Sequence, residues 1–192
     1  MSSADEASTD TSVGAAGHNA ATLPASAAQT GTDTGLPLTI GWREWVSLPQ
    51  LGIPAIKAKI DTGARTSAIH AFDIERVKRD GGQDWLTFSV QPLQRIGSIM
   101  VRCESPLIDI RRVTDSGGHA SDRFFITTQL QIGDESRDIE MTLSQRDDML
   151  FRMLLGRTSM VPGIQVNPSE SFSLGRVSAR AVYAELSTGS AS

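Results

Sequence analysis

The amino-acid sequence predicts an all-β fold, and two features of its pattern carry that prediction. Short segments in which apolar and polar residues alternate follow one another along the chain, separated by turn-forming residues at intervals of roughly 8–12 residues. Apolar residues at helical spacing are scarce in the same region. Such a pattern is typical of a β-barrel or a β-sandwich.

The predicted strands begin with "LTIGWREWVSL" (38–48) and "IPAIKAKI" (53–60). Two pairs of segments flank turn sequences and predict β-hairpins: "FDIERVKR" with "DWLTFSVQ" around "DGGQ", and "RFFITTQLQI" with "RDIEMTL" around "GDES". Further strands are "IMVRC", "LIDIRRV" and the short apolar segment "RMLLG". Helix is predicted only for "SQRDDMLF" and "SARAVYAEL", both in the C-terminal part of the chain.

Composition bounds the class of protein. With 39% hydrophobic and 21% charged residues among 192, the chain is typical of a soluble globular protein, and no run of 18 apolar residues predicts a membrane span. Aromatic residues make up only 5%, so we expect a core of Ile, Leu, Val and Met. The single cysteine, Cys103, excludes an intrachain disulfide, and the N-terminus lacks a secretory signal pattern. We therefore expect a cytoplasmic protein.

Charge and composition divide the chain into three parts. Residues 1–36 are dominated by Ala, Ser, Thr and Gly and predict a disordered tail, 37–176 a folded domain, and 177–192 a C-terminal tail. All 18 basic residues lie from Arg43 onward, where 18 of the 22 acidic residues balance them, so the formal charge of −4 belongs to the N-terminal stretch. A neutral domain gives no electrostatic reason to expect nucleic acid or a membrane as a partner.

Three similar tripeptides compete as a functional motif: Asp-Thr-Gly at 33–35 and 61–63, and Asp-Ser-Gly at 115–117. The first lies in the low-complexity tail, and the third favours a turn at a hairpin tip. The second directly follows the apolar strand "IPAIKAKI", where an acidic residue is costly unless its charge is used or satisfied. An Asx-turn at the strand end is the plain structural alternative.

The segment "RMLLGRTSM" adds to this evidence. The pair "IDTGA" (60–64) and "LLGR" (154–157) resembles the retropepsin family of aspartic proteases, in which a strand ending in Asp-Thr-Gly-Ala packs against a later hydrophobic-hydrophobic-Gly-Arg segment. The run "KAKIDTGARTSAIHA" is closer still to a bacterial family described both as ATP-dependent zinc proteases and as retropepsin-like aspartic endopeptidases. That family is associated with ATP-grasp ligases that add glutamate. The resemblance covers about 38–175.

The resemblance implies a single-lobed, closed β-barrel with a short helix near its C-terminal end. It implies an aspartic endopeptidase without a cofactor, acting on peptide or protein substrates, with an ATP-grasp ligase as its functional partner. Such enzymes use two carboxylates that share one proton and hold a water molecule. Because this chain supplies one convincing motif, the resemblance implies a homodimer in which Asp61 of each copy is catalytic. The residues implied to support the active-site loop are Thr62, Gly63, Ala64, Leu154, Leu155 and Gly156.

Retropepsins close a glycine-rich flap over the substrate, and the flap candidates here are Ser116, Gly117 and Gly118 at the tip "TDSGGHA". The segment 89–101 is a rival for that role. Where retroviral members have an acidic residue two positions after the glycine of the motif, this chain has Arg65. Arg65 and Arg157 are therefore candidates for binding an acidic substrate, since guanidinium groups grip carboxylates. The alternative is that they pair with nearby acids such as Asp73 or Asp147.

The zinc label finds little support in the sequence. The scattered residues His70, Cys103 and His119 are the only ligand candidates outside the tail, and no His-Glu-x-x-His motif is present. We expect no metal. Two alternatives to an aspartic peptidase stay open at this point: a metal-dependent peptidase and a non-catalytic β-barrel binding module.

Overall fold

Twelve β-strands and one α-helix form the part of the chain that this computed structural model describes, residues 36–79, 81–94, 99–114, 118, 120–145 and 150–189. The strands are β1 (Leu38–Gly41), β2 (Arg43–Leu48), β3 (Ile53–Asp61), β4 (Ser67–His70), β5 (Phe72–Lys78), β6 (Asp84–Val90), β7 (Val101–Pro106), β8 (Asp109–Thr114), β9 (Ala120–Ile132), β10 (Glu135–Ser144), β11 (Met153–Gly156) and β12 (Ile164–Asn167), and the helix is α1 (Ala179–Gly189). The all-β prediction with one short C-terminal helix is confirmed. No helix in these residues is both long and apolar enough to cross a membrane.

The main sheet has seven strands in the order β10-β4-β11-β3-β2-β9-β8. Since β9 also pairs with β10, six of these strands form a ring of hydrogen-bonded neighbours. Two neighbouring pairs, β10 with β4 and β11 with β3, are parallel, whereas the other pairs are antiparallel. A closed barrel, which the resemblance implies, is a stronger statement than this ring of paired strands, so it stays a prediction.

Two smaller sheets complete the fold. Strands β5, β6 and β7 form an antiparallel sheet, and β1 pairs in parallel with β12. The predicted hairpins are confirmed as β5–β6 and β9–β10, because alternation and turn residues are local signals. Of the predicted helix "SQRDDMLF", 146–149 lie outside the described residues, and the rest is strand, bend or irregular chain.

The predicted strand "LTIGWREWVSL" is broken at Trp42 into β1 and β2. A side chain at Gly41 would place its Cβ 2.6 Å from the backbone oxygen of Glu170, so the chain passes very close to that segment there. The Trp42 amide donates to the same Glu170 oxygen at 2.9 Å, instead of continuing a strand ladder. The break therefore comes from a contact with chain 128 residues downstream, which local alternation cannot reveal.

Strand β3 presents two different faces to its surroundings. Its inner face packs Ile56, Ala58 and Ile60 into the core. That core consists mainly of Ile, Leu, Val and Met, as the composition predicts. The outer face carries, in order along the strand, Ala55, Lys57, Lys59 and Asp61. Helix α1 covers Ala55, and the strand ends at Asp61, so β3 connects the helix to the motif.

Candidate active site

Asp61 is the last residue of β3, and its half-buried side chain is held by the loop that it begins. Its Oδ1 atom accepts hydrogen bonds from the backbone amides of Gly63, at 3.1 Å, and Ala64, at 3.0 Å. This is the Asx-type turn that the sequence allows. The Oδ2 atom receives no hydrogen bond from the described residues. One oxygen is therefore fixed, and the other is free to bind a further group.

A second segment supports this loop by backbone hydrogen bonds. In the parallel pairing of β3 and β11, Gly156 lies beside Asp61. Just beyond it, the Arg157 amide donates to the carbonyl oxygen of Ala64 at 2.9 Å. Thr158 donates to the Arg65 carbonyl oxygen from its amide, at 3.1 Å, and from its hydroxyl, at 2.8 Å. The segments "IDTGA" and "LLGR", which lie far apart in sequence, are thus joined by strand pairing and backbone hydrogen bonds.

Gly156 leaves no room for a side chain. An added Cβ would lie 2.5 Å from the backbone carbon of Thr66 and 2.9 Å from the oxygen of Arg65. Its amide donates to the Ser67 hydroxyl at 3.0 Å, and that hydroxyl is hydrogen-bonded to the Ser159 hydroxyl at 2.7 Å, with both serines buried. The loop is therefore held from behind by a buried polar pair that the sequence did not suggest.

The remaining loop-support candidates lie on both sides of these joined segments. Leu155 is fully buried in the core, whereas Leu154 is half-buried and faces the cleft next to Asp61. Thr62 and Gly63 are exposed, with a Cβ at Gly63 meeting only Asp61 Oδ1, at 3.4 Å. The supporting roles of these residues stay predictions.

A cleft of about 810 Å³ lies beside Asp61. The motif loop forms one side, and residues of β8 and β9 form the other. Among the described residues that line the cleft, the acidic ones are Asp61 and Glu140. The arginines in the same lining are Arg65, Arg111, Arg112 and Arg123. Sequence reasoning missed the last three. The doubled arginine in "LIDIRRV" was the available signal.

Arg111 is bound by acidic residues on two strands. Its guanidinium donates to both carboxylate oxygens of Glu140, at 2.8 and 3.0 Å, and to Asp109 at 2.6 Å, and it lies over the ring of Phe125 at 4.1 Å. The hydrogen bond from Arg111 lowers the pKa of Asp109, and the hydrogen bond to Glu140 raises the pKa of Arg111 itself. This arginine is therefore largely neutralised by its neighbours.

The two arginines singled out from the sequence lie in different places. Arg65 lines the cleft, whereas Arg157 does not, and its guanidinium donates to the Gly63 carbonyl oxygen at 3.4 Å. Neither arginine forms an ion pair within the described ranges. Asp73, one of the acids expected to pair with them, accepts a hydrogen bond from Arg102 through its backbone oxygen. Asp147 lies outside those ranges. Among the described residues, Arg65 therefore lines the cleft without an ion-pair partner.

Of the three flap candidates, only Gly118 is among the described residues. Ser116 and Gly117 lie outside the described residues, as do the tripeptide at 33–35 and His119. Gly118 is exposed, with a φ of 84°. In the rival segment, Leu93 packs with Tyr183 of α1 instead of facing Asp61.

The two metal-ligand candidates within the described residues, His70 and Cys103, are buried. His70 lies against Phe72, with ring centroids 6.1 Å apart. Burial raises the pKa of the Cys103 thiol to about 12, and the thiol donates to the Leu51 carbonyl oxygen. Within the described part of the chain, no three His, Cys, Asp or Glu side chains are grouped so that they could hold a metal ion.

Comparisons with known proteins identify relatives of this arrangement. The chain is 48% identical over 139 residues to a protein of Desulfotalea psychrophila named probable alpha-L-glutamate ligase, and 46% identical over 136 and 154 residues to proteins of the same name from Shewanella pealeana and Parasynechococcus marenigrum. These matches cover 72%, 71% and 79% of this chain but 30%, 30% and 33% of the relatives. The chain therefore spans about a third of the length of these curated relatives.

A solved structure supports the fold. It is a protein of unknown function from Legionella pneumophila, with a TM-score of 0.61 and 23% identity, covering 71% of this chain and 98% of that one. A family model described as "Retropepsin-like aspartic endopeptidase RimB" matches residues 39–176. None of these descriptions refers to zinc or ATP, so that part of the expected family name is unsupported. The chain belongs to the RimB-like family of retropepsin-like aspartic endopeptidases.

Proposed function

We propose that two copies of this chain form an aspartic peptidase in which Asp61 of each copy activates the attacking water. The geometry of Asp61 carries the proposal. One carboxylate oxygen is fixed by two backbone amides, the other receives no hydrogen bond from the described residues, and the residue borders a cleft large enough for a peptide. The family match supports the same reading.

The need for a second copy follows from the acids of the cleft. An aspartic mechanism requires two carboxylates that share one proton. Besides Asp61, the described lining contains one other carboxylate, Glu140, and both of its oxygens accept hydrogen bonds from Arg111. That carboxylate is therefore already engaged by a guanidinium group on both of its oxygens. The second carboxylate is therefore supplied by Asp61 of another copy, whose exposed neighbour Thr62 is well placed for contact between copies.

The proposed reaction needs only this pair. One carboxylate accepts a proton from the water while the protonated one donates to the substrate carbonyl oxygen, and the water oxygen bonds to the carbonyl carbon. The tetrahedral intermediate then breaks its C–N bond as a proton passes to the leaving nitrogen. The amides of Gly63 and Ala64 hold Asp61 in position throughout, so that little reorganisation is needed.

The substrate class follows from the charge of the cleft. Arg65 and Arg112 line it without an ion pair in the described ranges, whereas Arg111 is already neutralised. Two uncommitted guanidinium groups favour acidic side chains. Relatives named as glutamate ligases make a glutamate-rich chain the first substrate to test, with such a ligase as the functional partner.

A second function has its own supporting observation. In the relatives, the matching region is about a third of a longer protein named as a ligase. A region of that kind could act as a non-catalytic module that holds the glutamate-rich chain for the ligase. The same arginines would serve such a module, but Asp61 would not be needed for chemistry.

The deciding experiment measures peptide cleavage by the wild type and by Asp61→Asn on a peptide pool that includes oligoglutamate tails, with and without a chelator. We expect the substitution to reduce cleavage by about a thousandfold or more, because it removes the acid–base group, and we expect the chelator to have no effect. Asp134→Asn is the matched control, since Asp134 is exposed in the turn between β9 and β10.

Each other outcome selects an alternative. An active Asp61→Asn variant together with loss on chelation would indicate a metal-dependent peptidase. A wild type that binds the oligoglutamate peptides but cleaves nothing would support the non-catalytic module.

A further inference from the structure

The outer face of β2 and β3 carries cationic side chains that the proposed catalytic site does not use. Arg43, Lys57 and Lys59 lie on these strands, and Arg176, from the segment after β12, joins them at the Phe172 ring. We call these four residues the basic face. In the pairing of the two strands, Arg43 lies opposite Lys59, and Trp45 lies opposite Lys57. None of the four forms an ion pair with any residue that the structure describes.

Aromatic rings hold three of these cations in place. The ring of Phe172 lies 4.9 Å from the guanidinium carbon of Arg43, 4.9 Å from that of Arg176 and 6.0 Å from the Lys57 ammonium. The Lys57 ammonium also lies 5.0 Å from the Trp45 ring. Such contacts reduce the freedom of the side chains, so less entropy is lost when an anion binds them.

The segment that carries Phe172 is fixed firmly on β2. Phe172 has a φ of 58°, a conformation that residues with a large side chain rarely adopt, and its amide donates to the Arg43 carbonyl oxygen at 2.9 Å. The next amide, of Ser173, donates at 2.8 Å to the carboxylate of the fully buried Glu44. Strain of this kind persists where the surroundings over-determine it, and it is found at binding sites.

The basic face is continuous with the cleft. A row of paired residues crosses five neighbouring strands in the order Thr142, Ala68, Leu154, Lys59, Arg43. Paired residues in a sheet point to the same side, and the first three of these line the cleft. The row therefore leads from the floor of the cleft to the basic face without leaving one surface of the sheet.

The length of this row fits an extended peptide. Neighbouring strands lie about 4.8 Å apart, so the five strands span roughly 19 Å. An extended chain rises about 3.3 Å per residue, so about six residues cover that distance.

We propose that the basic face binds the acidic part of a substrate that extends beyond the cleft, so that long glutamate-rich chains are held more tightly than short ones. This rests on the proposed function for the identity of the occupant. Charge complementarity favours an acidic peptide. Nucleic acid fits less well, because base stacking needs uncovered ring faces, and cations already lie over the rings of Trp42, Trp45 and Phe172.

The test compares binding of fluorescein-labelled oligoglutamate peptides of about three and about twelve residues, lengths below and above the span of the row. Asp61→Asn protein is used so that nothing is cleaved, and Kd is measured by fluorescence anisotropy. We expect Lys59→Gln to weaken binding of the long peptide about threefold. The double variant Lys59→Gln/Arg176→Gln should weaken it about fivefold or more, and both variants should change binding of the short peptide little. The matched control is Lys78→Gln, another exposed strand lysine, and it should change neither.

Equal losses for both peptide lengths, or an equal loss with Lys78→Gln, would overturn the inference. Tighter binding of single-stranded polyuridylate, lost on the same substitutions, would overturn it in favour of nucleic acid.

If the wild type cleaves no peptide but the length effect depends on Lys59 and Arg176, the proposed function fails and the docking of acidic chains stands. If cleavage occurs and the length effect survives both substitutions, the basic face inference fails alone. Lys59 has no ring contact among those observed, so its variant tests binding without disturbing Phe172.

Discussion

At the scale of single residues, the site depends on one position without a side chain. Gly156 lies beside Asp61 in the parallel pairing of β11 and β3, and the backbone of Thr66 fills the space that a Cβ would occupy. Its amide reaches the buried Ser67 hydroxyl. The orientation of Asp61 thus depends on a close approach of two backbone segments.

Gly156→Ala should lower the free energy of unfolding by about 3 kcal/mol or more, because the new methyl group meets backbone atoms that cannot move aside easily. Gly63→Ala is the comparison, since a Cβ there has only an ordinary contact with Asp61 Oδ1 at 3.4 Å. It should change stability by less than about 1 kcal/mol. Urea unfolding of both variants measures the difference. Equal stability of the two would show that the approach at Gly156 is not as close as the structure has it.

At the scale of elements, helix α1 is attached to the strand that ends in Asp61. The Tyr183 hydroxyl donates to the Ala55 carbonyl oxygen on β3 at 2.7 Å, and the buried ring packs with Leu93. Burial raises the pKa of Tyr183, so the hydroxyl stays protonated at neutral pH. Part of the predicted C-terminal tail over 177–192 is therefore helix, and it covers Ala55 on the outer face of β3.

Tyr183→Phe should lower the free energy of unfolding by about 1 kcal/mol, because the ring keeps its packing while the Ala55 carbonyl loses a donor. Tyr183→Ala should cost about 3–5 kcal/mol, since the packing is lost as well. Thermal unfolding at neutral pH compares the two variants with the wild type. A Tyr183→Phe variant as stable as the wild type would mean that the hydrogen bond contributes nothing.

At the scale of the whole molecule, the proposed activity requires two copies of the chain. One copy offers a single uncommitted carboxylate in the described cleft, and the loop residues Thr62 and Gly63 are exposed beside it. A two-fold arrangement would place the same surface of each copy against the other.

Mixing provides the test. When an equal amount of Asp61→Asn protein is added to a fixed amount of wild type and subunits are allowed to exchange, cleavage should fall to about half, since half of the wild-type chains then enter mixed dimers. The rate of peptide cleavage before and after exchange is the measurement. Unchanged cleavage, with exchange verified by differently labelled chains, would mean that one copy acts alone.

The sequence predicted features that are set locally. The hairpins β5–β6 and β9–β10 follow from alternation and turn residues, and the strand ending in Asp61 follows from an apolar run that stops at an acid. The apolar segment at 152–156 was predicted as a strand for the same reason. The resemblance also predicted the retropepsin-like family of the chain, because the motif on which it depends is long.

The tertiary structure decided everything that depends on distant segments meeting. The break at Trp42, the support of Ala64 by Arg157, and the position of Arg111 beside Glu140 each join residues at least 29 positions apart. The basic face likewise exists only because β2 pairs with β3 and the segment of Phe172 folds over them. Alternation along a strand specifies which side chains share a face, but the pairing of strands selects their neighbours. The sequence therefore determined the strands and the acidic residue at the end of one of them, and only the fold determined which charges surround that residue.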